Sequence, residues 1–286
     1  MKNLVLRSLT GILFVALLVG CIVGGDLSFF ILFNLVTLLT VWEFCHIINK
    51  SGMASINPII NVVGALLIFW TFRQLNTGEV DDRSAMLLLT PYLTLLILLF
   101  VFELFRNAKT PIQNWAFSVL SHVYIGLPFG ILCTLAYHQG MSANGYDFAI
   151  PLAVFIFLWT NDTGAYCTGS LLHKYFPAKL FPRISPAKTW VGSIGGGVLC
   201  LVAAWIMSES FARLTLCEWI GFGLVVCIFG TLGDLVESLM KRKLGIKDSG
   251  HILPGHGGML DRFDSSLLAI PAAAAYFGLI EAFARL

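Results

Sequence analysis

Apolar runs of about 17 to 25 residues recur along most of this chain, and they constrain its fold more than any other feature. A helix of that length crosses the hydrocarbon core of a bilayer and satisfies its own backbone hydrogen bonds there. Only 12% of the 286 residues are charged, against about 25% in an ordinary soluble domain. A soluble helical protein would need more polar surface, and a β-barrel would show shorter alternating segments. The sequence therefore predicts an all-α, polytopic membrane protein.

Hydropathy and helix breakers divide the chain into about nine predicted transmembrane helices. They cover residues 8–24, 28–47, 57–73, 85–104, 115–137, 148–166, 190–208, 217–236 and 265–284. With a cytoplasmic N-terminus, 14 of the 18 Lys and Arg residues fall on the cytoplasmic side, and only Arg73, Arg83, Arg213 and Arg285 fall outside. Because cytoplasmic loops are enriched in Lys and Arg, this asymmetry predicts an N-in, C-out topology.

The first apolar run has a second interpretation. Lys2 and Arg7 precede it as in a signal peptide, and residues 18–21 resemble a lipoprotein cleavage box. Because many further spans follow, we expect an uncleaved first helix. The seven cysteines are scattered without a C-x-x-C pair, so they predict small apolar helix residues and neither a disulfide framework nor a zinc site.

Polar residues are concentrated in the second half of the chain. Residues 1–140 are expected to form a membrane scaffold with dimer or lipid contacts, and residues 141–286 a catalytic membrane region. The two longest predicted cytoplasmic loops, 167–189 and 237–264, are also the most basic. Any active site is therefore expected at the cytoplasmic side of the C-terminal half.

One group of polar residues surrounds the end of the eighth predicted span. Asp234, Glu237, Ser238 and Lys241 are spaced so that a helix places them on one face, with Arg242 beside them. A capped helix end with snorkelling bases would explain the same pattern.

A pair of acids stands before the ninth span. Asp261 and Asp264 are three residues apart, with Arg262 between them, and one acid alone would suffice as an N-cap. If the preceding loop folds back, Asp234 and these two acids could converge on Mg²⁺, which favours hard oxygen ligands and substrate phosphates. The glycines of the Pro254–Gly258 turn would allow close approach to a ligand, and His256 is either a phosphate donor or a structural residue.

A second polar group lies around the sixth and seventh spans. Asp162 falls at membrane depth, where an acid normally faces a polar cavity or a partner. Lys188 and Thr189 precede the seventh span and could bind a phosphate with the helix dipole, or simply cap that helix. Gly192, Gly195, Gly196 and Gly197 predict close helix packing.

Two glutamates lie near the cytoplasmic ends of earlier spans. Glu43 and Glu103 could line the same cavity, but capping or pairing at the interface is the expected role of each.

These residues together form a known pattern. The chain reads Ser238-Leu-Met-Lys241-Arg242, then Lys247-Asp248-Ser-Gly250, then Leu-Pro254-Gly-His256-Gly257-Gly258, then Asp261-Arg262-Phe-Asp264. This pattern resembles that of the phosphatidate cytidylyltransferases, also called CDP-diacylglycerol synthases. Gly233-Asp234-Leu-x-Glu237-Ser238 and Asn161-Asp162-Thr-Gly164-Ala-Tyr166 resemble the same family.

The resemblance implies transfer of the cytidylyl group of CTP to phosphatidate in phospholipid synthesis, with Mg²⁺ as cofactor. It implies a multi-pass protein of the bacterial cytoplasmic (inner) membrane, with its active site facing the cytoplasm and no nucleic-acid partner. The expected catalytic residues are Asp234, Lys241, Arg242, Asp261, Arg262 and Asp264, with Asp234, Asp261 and Asp264 as metal ligands. The expected substrate-binding residues are Asp162, Ser185, Lys188, Thr189, Ser238, Lys247, Asp248, His256, Gly257 and Gly258. The glycine-rich helix faces leave a homodimer open.

The chain departs from the family pattern at two positions. The family usually has Lys and Glu where this chain has Ala187 and Val191. The departure puts nucleotide affinity or metal arrangement in doubt near Val191, while we still expect activity because Lys188 and the whole downstream pattern remain.

Two other classes of function share some of these features. Another CTP-using lipid-phosphate transferase or kinase would share these charges, but the complete Ser238–Asp264 pattern argues against it. An anionic-lipid transporter would be expected to show inverted repeats and polar groups near the midplane, whereas here the polar groups gather on one side.

Overall fold

The structure is a computed structural model that describes residues 2–77, 82–137, 145–250, 252 and 257–284. Within these residues the chain forms ten α-helices, one π-helical turn and one two-stranded sheet. The helices of the first half are α1 (Lys2–Val23), α2 (Asp26–Ser51), α3 (Pro58–Thr77), α4 (Asp82–Arg106), α5 (Pro111–Ser121) and α6 (Leu127–Tyr137). The second half contains α7 (Ala149–Leu172), β1 (Lys179–Phe181), β2 (Ser185–Thr189), α8 (Trp190–Ser210), α9 (Leu216–Lys243) and α10 (Leu260–Ala284).

Seven helical segments of the described chain are long and apolar enough to cross a membrane. They are α2, α3, Ser84–Arg106 of α4, the continuous segment from α5 through α6, α8, α9, and Leu260–Phe283 of α10. These segments indicate a multi-pass membrane protein, as predicted. The first and sixth predicted spans also lie on helices, α1 and α7, which are not among the seven. All seven cysteines are free in the structure.

Several predicted boundaries were wrong. α7 continues to Leu172 and α9 to Lys243, so both helices extend beyond the predicted ends of their spans at residues 166 and 236. The basic residues Lys241–Lys243 therefore lie on the last turn of α9 and not in a loop. Cations near a helix C-terminus interact favourably with the helix dipole, which explains why the helix persists through this charged stretch.

The chain divides into two compact units that are not consecutive in sequence. The first unit contains residues 1–148 together with 244–263, and the second contains residues 149–243 together with 264–286. The segment Leu244–Phe263, which carries much of the charged motif, therefore packs with the first half of the chain.

The first unit has an aromatic core. The ring centroid of Phe129 lies 5.9 Å from that of Phe33 and 5.5 Å from that of Phe263, and all three side chains are buried. Because Phe263 belongs to the Leu244–Phe263 segment, this core anchors the end of that segment. Between α5 and α6 the predicted single helix contains a π-helical turn, His122–Gly126. Pro128 follows it, and a proline cannot donate a hydrogen bond to the carbonyl four residues earlier, which favours a local change of helical register.

In the second unit, α7 and α8 approach closely. A Cβ atom added to Gly164 would lie 2.9 Å from the Cα atom of Gly196, and one added to Gly192 would lie 2.9 Å from the carbonyl oxygen of Ala165. The backbones of the two helices are therefore in contact, which only small residues permit. This confirms the close helix packing predicted from the glycines of α8, and it occurs within the chain.

The sheet is a short antiparallel hairpin that was not predicted. Lys179 pairs with Thr189 and Phe181 with Ser185. The hairpin is attached to the start of α8, because the N–H of Trp190 donates to the carbonyl of Ala178 at 3.1 Å and the Thr189 side chain caps the helix.

Candidate active site

A buried carboxylate in the first unit organises the charged segment. Glu43 lies on α2 and is 5% exposed. Its Oε1 atom accepts a hydrogen bond from the Ser249 hydroxyl, and its Oε2 atom accepts one from the Met259 N–H at 2.6 Å. Gly258 packs directly against this carboxylate, which leaves no room for a side chain. Glu43 therefore fixes two points of the Leu244–Phe263 segment onto α2.

Asp261 closes the turn before α10. Its Oδ2 atom accepts hydrogen bonds from the N–H groups of Ser249 at 3.0 Å and Gly258 at 2.8 Å. The Asp261 N–H in turn donates to the Ser249 hydroxyl at 3.3 Å. Gly257 has a φ of 80°, a left-handed conformation that favours glycine. Glu43, Ser249 and Asp261 thus form one network, in which Asp261 serves the turn as an acidic helix cap would.

The remaining predicted residues of this segment differ in exposure. Lys247, Asp248 and Arg262 are exposed and form no ion pair within the described residues, and His256 lies outside those residues. A cavity of about 640 Å³ runs along α2 in this unit, and its charged and titratable lining side chains are Glu43, His46, Lys50 and Asp248. With two acids and one lysine, this lining has no excess of positive charge.

Glu103, the second glutamate singled out in the first half, forms an ion pair. Its carboxylate lies 2.9 Å from Arg106 and accepts a hydrogen bond from the Asn114 side chain at 2.9 Å. Pairing was the predicted role of Glu103, and the structure confirms it.

The second unit contains a more cationic cavity of about 440 Å³. Its lining residues come from α7, the hairpin, the first turn of α8, and α9. They are Asn161, Asp162, Ala165, Tyr166, Gly169, Ser170, His173, Lys179, Ala187, Lys188, Thr189, Gly192, Ser193 and Thr231. The structure therefore brings together Asp162, Lys188 and Thr189, which the sequence placed in one substrate site. Ser185 lies on the same strand as Lys188 but is not among the residues that line the cavity.

An ion pair connects this cavity to α9. The Lys188 ammonium lies 2.6 Å from Oδ2 of Asp234, and both side chains are partly exposed, at 25% and 31%. The Ser238 hydroxyl donates to Oδ1 of the same carboxylate at 3.1 Å. Asp234 is therefore held by one base and one hydroxyl and remains accessible to solvent.

Asp264 is close to these charges. Asp234, Lys241 and Asp162 all act electrostatically on its carboxylate. The backbones of α9 and α10 meet here, since a Cβ atom added to Gly233 would lie 2.7 Å from the Asp264 carbonyl oxygen. Two of the three predicted metal ligands, Asp234 and Asp264, thus lie on neighbouring turns of two packed helices. No group of three or more His, Cys, Asp or Glu side chains among the described residues forms a preassembled metal site.

The bases on α9 have different surroundings. The Lys241 ammonium lies 2.5 Å from the carboxylate of Glu237, which is fully buried. Arg242 is exposed. Asp234, Ser238 and Lys241 therefore share one helix face, as predicted, and the Lys241 ammonium neutralises the buried Glu237.

Thr189 has the capping role that was left open by the sequence. Its hydroxyl accepts a hydrogen bond from the Gly192 N–H at 3.1 Å, and its side chain is buried. The cap orients the first turn of α8 toward the cavity, where Gly192 and Ser193 form part of the lining. Capping and ligand binding are compatible here, because the helix N-terminus itself favours anions.

Comparison with known proteins identifies the family. The sequence model of the cytidylyltransferase family matches residues 5–280. The phosphatidate cytidylyltransferase of Staphylococcus aureus (strain COL) is 31% identical over 267 residues, which cover 93% of this chain and 95% of that protein. The chain belongs to the cytidylyltransferase family. The phosphatidate cytidylyltransferase of Staphylococcus saprophyticus is 32% identical over the same length, with the same shares of each chain covered.

The structure locates the two positions, 187 and 191, at which the chain departs from the usual pattern of the family. Ala187 lines the cavity of the second unit, whereas Val191 lies in the first turn of α8 and is not among the lining residues. The departure at position 187 therefore removes a side chain from the cavity itself.

Sequence reasoning missed two sets of residues. His173 and Lys179 line the cavity, but they carried no motif signal and were counted only as residues of a basic loop. The link from Glu43 to Ser249 was missed because 206 residues separate the two. The only signal for it was an acid inside an apolar run, which normally requires a partner.

Proposed function

We propose that this protein transfers the cytidylyl group of CTP to phosphatidate, giving CDP-diacylglycerol and pyrophosphate. The observation that carries the proposal is the family match over residues 5–280, together with relatives named phosphatidate cytidylyltransferase that align with 93% of the chain. The cavity of the second unit supports it, because that cavity combines cationic, hydroxyl and carboxylate side chains with a helix N-terminus.

The reaction forms one phosphorus–oxygen bond and breaks another. A phosphate oxygen of phosphatidate attacks the α-phosphorus of CTP, and the bond to the β-phosphate breaks with release of pyrophosphate. Such a transfer needs positioning and charge neutralisation more than a protein nucleophile. In this proposal Lys188 binds a phosphate of CTP, and Asp234 holds the Lys188 ammonium in place until the nucleotide arrives.

An aromatic side chain is available for the base. Tyr166 lines the same cavity and is 77% exposed, so its ring offers a face on which cytosine can stack. Asp162 lies one helical turn earlier on α7, and its carboxylate can accept a hydrogen bond from the cytosine amino group.

The acids of the second unit fit a magnesium ion. Asp234 and Asp264 supply hard oxygen ligands, and Mg²⁺ is typically bound by one or two carboxylates, waters and substrate phosphates rather than by a complete protein cage. Asp234 and Asp264 would hold the ion, which would supply neutralisation of the charge on the CTP phosphates. Asp261 stays a predicted third ligand, and Arg242, Arg262 and Lys247 stay predicted phosphate-binding bases.

Reconstituted membranes test the reaction. The protein, labelled CTP, phosphatidate and Mg²⁺ are expected to give labelled CDP-diacylglycerol, and a chelator is expected to abolish the product. Failure of the wild type to make CDP-lipid in a magnesium-dependent way would contradict the proposal.

Asp261→Asn is expected to raise the Mg²⁺ concentration for half-maximal activity, and an unchanged requirement would remove Asp261 from the metal ligands.

We further propose the N-in, C-out topology in a bacterial inner membrane. Two exposed cysteines, Cys167 and Cys217, lie on opposite sides in that topology. In variants that keep only one of them, a membrane-impermeant maleimide should label Cys217 in intact spheroplasts and Cys167 only after permeabilisation. Labelling of Cys167 in intact spheroplasts would reverse the orientation.

The homodimer also stays a proposal. The glycines of α8 that suggested it pack against α7 within the chain, so a dimer would have to use another surface. Measurement of the protein mass in lipid nanodiscs distinguishes one copy from two.

A further inference from the structure

Lys179 lines the cavity of the second unit without a counterion. It is exposed on β1, and within the described residues it forms no ion pair, whereas the other lysine of the cavity, Lys188, is bound to Asp234 at 2.6 Å. An ammonium without a carboxylate partner in a cavity is a site of positive potential, so an anionic ligand binds most favourably there.

The hairpin register places Lys179 beside Thr189, a predicted substrate-binding residue. Lys179 is paired with Thr189, the residue that caps α8. The register of the hairpin shifts between this pair and the pair of Phe181 with Ser185. Ala187 on β2 lines the same cavity, so β1 presents a lysine to a cavity at which position 187 offers only a methyl group.

Acidic and basic lining residues are distributed unevenly along the α7 side of the cavity. Its lining on this helix runs from Asn161 and Asp162 to Ser170, which is about 14 Å at 1.5 Å per residue, and His173 follows directly after the helix ends at Leu172. Thr189, the partner of Lys179, packs near this second end, since a Cβ atom added to Gly169 would lie 3.4 Å from its hydroxyl. This part of the cavity therefore has two nitrogen bases and no carboxylate among its described lining residues.

We propose that Lys179 binds the terminal phosphates of the nucleoside triphosphate and is the second lysine of the nucleotide site, supplied by β1 instead of by position 187 on β2. The inference rests on the proposed use of CTP and adds a residue to that site. The part of CTP with the greatest negative charge is its terminal phosphate, and the end of the cavity at Lys179 is complementary to it.

Direct binding of CTP, CDP and CMP to the full-length protein in nanodiscs tests this inference. Lys179→Ala is expected to raise the dissociation constant of CTP by about 10- to 100-fold, which is typical for loss of one hydrogen bond to a charged group. The same substitution should leave CMP binding within about twofold, because CMP lacks the terminal phosphates. Lys174→Ala is the matched control, since Lys174 is equally exposed but does not line the cavity.

A double variant tests the location. Lys179→Ala combined with Ala187→Lys returns a lysine to the lining of the same cavity and is expected to recover most of the CTP affinity. Unchanged CTP binding in Lys179→Ala, or equal weakening of CMP and CTP, would overturn the inference. An unchanged elution profile of Lys179→Ala on size exclusion separates loss of binding from loss of folding.

Failure of the inference is distinguishable from failure of the proposed function. If the wild type makes CDP-diacylglycerol and Lys179→Ala binds CTP normally, the inference is wrong and the function stands. If Lys179→Ala weakens CTP binding but the wild type makes no CDP-lipid from phosphatidate, the function is wrong and the nucleotide site stands.

Discussion

The two units use their charged residues in opposite ways. In the first unit, Glu43 accepts hydrogen bonds from the Ser249 hydroxyl and the Met259 N–H, and Asp261 accepts one from the Gly258 N–H. In the second unit, Asp234 bonds to Lys188 at the edge of a cavity, and both side chains stay partly exposed. A carboxylate held by several groups of its own unit stabilises a loop, whereas an exposed ion pair is worth little to stability and is easily exchanged for a ligand. Asp261 therefore shapes its segment in addition to its predicted role at the metal, whereas Asp234 is available for substrate.

Substitution of Asp234 should have the largest effect on activity. Asp234→Asn is expected to lower kcat by about 100- to 1,000-fold, because the variant loses a charge that acts on the reacting phosphates. The thermal unfolding midpoint in detergent should change little. The matched control is Glu209→Gln, an exposed acid of the same unit. A stability loss in Asp234→Asn equal to that of a Glu43 variant would erase the contrast between the two units.

Removal of the Glu43 carboxylate should act mainly through stability. Glu43→Ala leaves the Ser249 hydroxyl and the Met259 N–H buried without their acceptor, at a cost of about 1 to 3 kcal/mol. The thermal midpoint should fall, and activity should fall with it because Leu244–Phe263 is no longer fixed. Glu43→Gln keeps one carbonyl acceptor and should lose less. Full stability and activity in Glu43→Ala would show that this network does not hold the segment.

The close packing of α7 and α8 offers a comparison within the second unit. Gly164→Ala is expected to destabilise by about 1 to 3 kcal/mol, because the new methyl group would meet the backbone of Gly196. Gly278→Ala is the control, since a Cβ atom there meets nothing within 4 Å. Thermal midpoints of the two variants measure the difference, and equal midpoints would contradict backbone contact between α7 and α8.

The smallest effect is expected at Lys243. This side chain is exposed at the end of α9, next to Lys241, which neutralises the buried Glu237. Lys243→Ala should change kcat/KM by less than about twofold, as surface substitutions usually do.

Lys241→Ala, by contrast, leaves the buried Glu237 carboxylate without its cation and should lower the thermal unfolding midpoint clearly.

The helices were predictable because lipid leaves the backbone few alternatives. An apolar run must form a helix to satisfy its own N–H and C=O groups, so every predicted span lies on a helix of the structure. The hairpin was not predictable in the same way. β1 has only three residues, and β2 contains Pro186, so neither shows the alternation that marks a strand.

The site was predictable where its residues share one element. Asp234, Ser238 and Lys241 were placed correctly on one helix face because helical spacing alone determines it. The partners of Glu43 and Lys188 were not, since Ser249 is 206 residues from Glu43 and Asp234 is brought to Lys188 by the packing of whole helices. Tertiary contacts of this kind leave no periodic signal in a single sequence.

The backbone contact between α7 and α8 also limits how the cavity of the second unit can change shape. Helices whose backbones touch at Gly164, Gly192 and Gly196 cannot approach more closely, so they form a rigid wall of the cavity. We expect entry and exit of a ligand to rely on movement of the hairpin, whose connection to α7, residues 173–178, is exposed throughout. The rate of pyrophosphate release would then depend on this short connection rather than on the helices, and stiffening it would slow turnover while leaving the bound geometry intact.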